Sequence, residues 1–252
     1  MYDPPASIWV LTIAGTVGIA ATTCVVLYGG AIRAGLGRGR AALLTGAAAV
    51  LFGGWFTASA LIANHGWYDL QGSQVPWMPV AAAAFLATML ALSRIPVVAR
   101  ALAAPGMRSR LLLPHSCRVA GVFFLLYLAF GHLPALFAVP AGLGDIITGL
   151  AAVPAALMLA QGTGRRAALW FTAFGITDLT VALTIGALTG YGLLNVTPST
   201  APLGELPLVL VPTMGVPLML ALHFTSLSAL ARAPRSAPSA HRHPVTPHAA
   251  TL

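Results

Sequence analysis

Arg118, Asp145, Asp178 and His223 are ionisable side chains set inside long apolar runs, and that placement makes them the candidates for chemistry. A charge in a bilayer interior is costly, so such residues turn toward a bundle interior or a wet cavity, where they mark proton relays and ion paths. At about 1.5 Å rise per residue, Asp145 falls about ten residues into one apolar run and Asp178 about eleven into the next. Both are therefore expected near mid-membrane on neighbouring helices, with Arg118 and His223 in the cytoplasmic third. Two carboxylates close together in a low dielectric repel strongly, so at least one is expected to hold a proton. Asp145 and Asp178 are thus the proton-carrying candidates.

The faces around these acids differ. Steps of three and four from Asp145 give Ala141, Gly142, Thr148, Gly149 and Ala152, a small-residue stripe that lets another helix approach closely. Asp178 shares a face with Phe171, Phe174 and Ala182, which suggests an apolar pocket lined by rings. Phe171, Phe174 and Trp170 could steady a cation there through cation–π contacts. The binding candidates are then Arg118, His223, Phe171, Phe174 and Trp170. A competing reading makes the acids helix-locking groups, protonated or paired with Arg. In that reading Arg118 snorkels to the membrane edge and His223 is a polar residue satisfied at a helix interface.

The elements that carry these residues follow from composition. Of 252 residues 58% are hydrophobic and only 7% charged, with mean hydropathy +0.87. Soluble domains carry roughly 25% charged residues, so a water-exposed surface cannot be built from this chain. The formal charge of +8 invites a nucleic-acid reading, but the arginines lie in short segments between apolar runs, where positive-inside topology accounts for them. No nucleic acid is expected as a partner. Every basic side chain is Arg and none is Lys; that Ala-rich, Lys-free usage suggests a high-GC bacterium. Cys24 and Cys117 form no disulfide framework or metal cluster. The segment MYDPPASIWV has no basic n-region, so the first run is expected to stay in the bilayer.

Seven apolar runs span about 8–30, 41–64, 77–99, 112–131, 135–160, 167–190 and 207–231, each near the length of about 20 residues that crosses the hydrocarbon. The boundary between the fourth and fifth falls at Gly131-His132-Leu133-Pro134 or at Pro140, a competing break. Arginines occupy alternate connections: Arg33, Arg38 and Arg40, then Arg94 to Arg118, then Arg165 and Arg166, then Arg232, Arg235 and Arg242. The intervening connections hold Asp69 and Glu205 but no Arg. The expectation is an all-α polytopic membrane bundle of about seven transmembrane helices over 1–231, N-out and C-in. Residues 232–252, rich in Pro, Ser, Ala and His, read as a disordered cytoplasmic tail. Its His241, His243 and His248 offer weak metal binding at most.

Familiar motifs are missing. Without lysine no retinal Schiff base can form, and HExxH, GxSxG and Walker patterns are absent. The stretches RVAGVFFL (118–125), LPALFAVPAGLGDIITGLAA (133–152), LWFTAFGITDLTVALTIG (169–186) and PLVLVPTMGVPLMLALHFTSLSAL (207–230) resemble a family of uncharacterised bacterial seven-helix integral membrane proteins. The resemblance covers about 112–231. It implies the helix bundle and a multi-pass place in a bacterial cytoplasmic membrane, and it matches Asp145 and His223. Where the family pattern carries Gln, this chain has His115.

Three functions compete at this level, and whether the protein is an enzyme stays open. The first is proton-linked transport or sensing of a small or hydrophobic molecule by the intramembrane acids. The second is an intramembrane enzyme on a lipid-like substrate, of isoprenoid or terpene cyclase design, with an Asp as general acid. The third is a membrane haem protein ligated by His65 and His132 or by His115 and His223. No cofactor and no metal is otherwise expected. The partners are the lipid bilayer and a proton or small hydrophobic ligand, with oligomeric state unassigned.

Overall fold

The computed structural model describes residues 4–71 and 75–231; the tail expected over 232–252, with its three histidines, lies outside the described residues. The architecture is all-α. Helices α1 (Ala6–Arg33), α2 (Gly37–Asn64), α3 (Trp77–Leu92) and α4 (Pro96–Leu102) lead to a composite span. That span comprises α5 (Met107–Arg110), a 3-10 segment (Leu113–Gly121) and α6 (Val122–Ala129). Then come α7 (Ala135–Ala160), α8 (Arg165–Gly190) and α9 (Val216–Ala231), the last preceded by a π-helical turn (Val211–Gly215).

Six of these units are long and apolar enough to cross a membrane, or seven if the bent pair α3–α4 counts as one. The bend is 85°, and its cause is local. Pro96 disfavours helical conformation in the residue before it, and Ile95 is extended at φ −60°, ψ 130°. The third run thus ends early as a straight helix, at Leu92. The fourth boundary falls at Gly131, whose φ of +74° suits a residue without Cβ closing a helix. Pro140 instead lies inside α7.

Burial ranks the helices from centre to rim. In the span ending with α9, 67% of the membrane-length window is buried, against 11% in α2. Outward faces carry large apolar side chains such as Val25, Leu43, Val50 and Leu150, as a lipid-facing surface requires. The central helix has a backbone problem that the sequence solves. Pro217 has no N–H for the Thr213 carbonyl four residues earlier; the Trp55 indole N–H donates to that carbonyl instead, at 3.0 Å. The indole also stacks on Phe85, with centroids 4.9 Å apart. Trp55→Phe keeps a ring but removes the donor. It should cost about 1–3 kcal/mol, the penalty for a buried polar group left short of a partner. Unchanged thermal melting of that variant in detergent would remove this account.

Candidate functional site

The 3-10 segment shapes the site. With three residues per turn, side chains at i and i+3 eclipse, so Leu112, His115, Arg118 and Gly121 line up on one face. All four are buried. Pro114 helps set this geometry, since it cannot donate back four residues as an α-helix would require. The segment packs along α7, and its aligned side chains reach α8 at Asp178 and α9 at His223. Gly149 of α7 permits the close approach: a Cβ there would fall 2.5 Å from the Val119 backbone nitrogen.

Arg118 is the midpoint of the Met107–Ala129 span and only 2% exposed. Its Nε donates to Asp145 Oδ1 at 2.7 Å, and its Nη2 donates to Asp178 Oδ2. Three separate helical units therefore bring one guanidinium and two carboxylates together. Snorkelling at the membrane edge, one reading of Arg118, is corrected by this burial. Arg118 lies deeper than its sequence position implies because the span begins at Met107 rather than 112, and because a 3-10 helix rises about 2.0 Å per residue instead of 1.5. Glycines make the room: a Cβ on Gly121 would run into Asp145, and one on Gly144 into Asp178.

His223 lies beside the same group. Its ring stacks on His115 at 3.9 Å between centroids, inclined by 24°. Phe171 closes on both rings at 5.6 Å. A Cβ on Gly175 of α8 would crowd His223 Nε2 and also approach Arg118 Nη1, so these two nitrogens face the same point. Phe171 thus belongs to the site. Trp170 and Phe174 do not: they are 77% and 44% exposed on the outward face of α8. An apolar pocket with rings does adjoin Asp178, but its rings are Phe124 and Phe137 and not the expected Phe171, Phe174 and Trp170. At about 100° per residue Trp170 lies about 80° from Asp178 on the helix wheel, while Phe174 is about 40° away, at the edge of the buried face, and its ring points outward.

The two carboxylates line a cavity of about 40 Å³, with Phe124, Phe137, Met78 and Leu203 among its walls. It lies on the arginine-poor side of the triad. A water needs roughly 10–15 Å³ by this measure, so the space fits a few waters. On the arginine-rich side, Leu112, Ala152, Ala156, Ala168, Phe171 and Leu230 form a separate apolar layer. A much larger apolar cavity, about 330 Å³, lies elsewhere, between α1, α2, α3, α4 and α9, and no ionisable side chain lines it.

Several participants carry no polar role in the sequence reading, where Thr148 counts only as a small residue on the Asp145 stripe. Thr148, Thr172 and Ser226, each within one turn of a site residue and buried, join the polar set. His115 drew notice only as a haem ligand or as a departure from a family pattern. The signal that finds it is the three-residue spacing Leu112, His115, Arg118, Gly121 after a proline. The stacked imidazoles argue against axial ligation by this pair, because a haem must stand between its two ligands and these rings touch.

The chain belongs to the family of the domain of unknown function DUF8737, which matches residues 75–231 and so contains every residue of the triad and the histidine pair. No curated protein and no solved structure matches the chain.

Proposed function

We propose that this is a proton-linked membrane protein, a transporter or sensor, whose proton sits in the Arg118–Asp145–Asp178 triad. The observation that carries the reading is the triad's charge balance. One guanidinium faces two carboxylates in the bundle interior, so full ionisation leaves one negative charge in excess, and a buried charge of that kind is relieved by binding a proton. The small adjoining cavity, lined by both acids, has room for a few waters that could exchange protons with them. A cavity of about 40 Å³ is far below the roughly 300–1,000 Å³ of organic-ligand pockets, which favours the proton over a prenyl chain at these acids. The lipid-like substrate of the enzyme reading would need the larger apolar cavity, where no acid is at hand.

The proposed setting is a bacterial cytoplasmic membrane with seven spans, N-out and C-in, counting α3–α4 as one. Arg118 drops out of the topology count because it is buried, and the remaining arginines still alternate between connections. A reporter fused at the C-terminus is expected to be active only in a cytoplasmic-facing assay. Activity restricted to the periplasmic form would overturn this orientation.

The functional test is proton movement. Purified protein in vesicles containing a pH-sensitive dye should relax an imposed pH gradient faster than protein-free vesicles, and Asp178→Asn should abolish the difference. Equal rates for wild type and variant, or no rate above the lipid background, would count against the reading.

A further inference from the structure

On the arginine-rich side of the triad, a second set of polar atoms is buried with no hydrogen-bonding partner among the described residues. They are Arg118 Nη1, both ring nitrogens of His115 and of His223, and the hydroxyls of Thr148, Thr172 and Ser226. None of these residues is more than 2% exposed. Helix register gathers them. His115 lies one turn before Arg118, Thr148 nearly one turn after Asp145, Thr172 nearly one turn before Gly175, and Ser226 nearly one turn after His223. Helices α7 and α9 run toward the arginine-rich side while the 3-10 segment and α8 run away from it, so all four steps lead the same way.

The hydroxyls are unusual for this protein. Helical threonines elsewhere, such as Thr12, Thr16, Thr23, Thr189 and Thr225, return their hydroxyl to the carbonyl four residues back. Thr148 and Thr172 do not, a departure shared by the half-buried Thr45 of α2. A hydroxyl withheld from its own helix is free to serve something else. Arg118 Nη1 can only donate, each hydroxyl can donate once, each imidazole offers at least one N–H, and no side chain of the set carries a carbonyl or carboxylate. The acids that might have accepted are engaged by Nε and Nη2. A guanidinium N–H that can only donate, with hydroxyls and imidazoles around it that can turn an O–H or N–H the same way, in a site closed by stacked rings and the apolar layer of Leu112, Ala156 and Leu230, suits a small acceptor.

We propose that this cluster binds a small monovalent anion of the class of chloride, bromide and nitrate, and that the anion enters together with a proton. The proton coupling rests on the triad being a proton site. Arg118 is already opposed by Asp145 on α7 and Asp178 on α8. The other titratable groups facing the cluster are His115 on the 3-10 segment and His223 on α9; Arg165 of α8 lies beyond the apolar layer, donating to the Leu230 carbonyl. A further negative charge therefore needs a proton on one of the acids or imidazoles, and no other atom changes bonding. The substrate of the proton-linked protein is on this account the anion itself.

The test uses the full chain in detergent, titrated with chloride, bromide or nitrate against gluconate at fixed ionic strength. Melting temperature should rise saturably with the small anions, as mass action on a folded-state site requires, and not with gluconate. Thr172→Val keeps shape but removes a donor, and should weaken the apparent affinity roughly tenfold, the equivalent of one buried hydrogen bond. Ser226→Ala provides an independent second variant. In weakly buffered solution, anion addition should raise the bulk pH as protons are taken up. Equal, non-saturating responses to all four salts, or wild-type affinity in both variants, would overturn the anion site and leave waters as the occupants. If that happens while Asp178→Asn still abolishes proton movement, the proton reading stands and only the anion fails. If anions bind with no proton uptake, the coupling is refuted.

Discussion

Arg118→Met should be the most damaging single substitution in the protein, lowering stability by about 3–5 kcal/mol, the range for breaking a buried charge pair by removing one partner. The side chain is buried at mid-span and pairs with two acids on two other helices, balancing one of their two charges. Without it, Asp145 and Asp178 face each other in the bundle, and both must take up protons or be pulled from the interior. Methionine replaces the aliphatic stem but ends near the Nε position, so the guanidinium's own space is vacated and part of the loss is packing. The cause can be isolated by adding Asp145→Asn and Asp178→Asn to Arg118→Met. With no charge left to bury, the triple variant should recover most of the lost stability, because replacing an entire buried ionic group is often neutral. Melting curves that leave the triple variant as unstable as Arg118→Met would assign the damage to packing instead.

The second large effect is a non-additive one. Asp145→Asn leaves Arg118 paired with Asp178 in a one-to-one charge balance and keeps an acceptor for Nε, so its cost should stay below about 2 kcal/mol. Asp178→Asn should behave alike with the roles exchanged. The double Asn variant leaves an uncompensated buried guanidinium and should lose about 3–5 kcal/mol, well beyond the two single effects together. A purely structural lock predicts that the cost appears at the first substitution. A single Asn variant that already collapses the protein would therefore contradict the proton reading, since that reading requires the triad to hold together at either charge state.

Much of the framework was legible in the sequence because hydrophobic length is a strong signal. The runs at 135–160 and 167–190 coincide closely with α7 and α8, and Asp145 and Asp178 were expected as neighbours at similar depth. What the sequence hid has identifiable physical causes. Arg108 and Arg110 made 107–111 look like a connection, although short α5 already begins the span, and this displaced Arg118 outward. The 3-10 geometry of Leu113–Gly121 cannot be seen in hydropathy, because it changes which residues align and not how apolar they are. Trp170 is assigned to the pocket by ring chemistry and Phe174 by its spacing from Asp178, whereas both rings are exposed on the outward side of α8. The His115–His223 stack joins residues far apart in the chain, and no spacing within one helix encodes it. The partnership of Arg118 with both acids is hidden for the same reason, although pairing of the acids with an Arg is one of the readings that the sequence allows.

Infrared difference spectroscopy across a pH titration of the intact protein tests the central claim most directly, because it reads the protonation of a buried carboxyl by its C=O stretch. The account predicts a protonated-carboxyl band that appears and disappears with pH while the protein stays folded, and that is lost or displaced in Asp145→Asn and in Asp178→Asn. A folded wild type with no such band at any pH, or a band indifferent to both substitutions, would contradict it and leave the triad as a fixed ionic lock between helices.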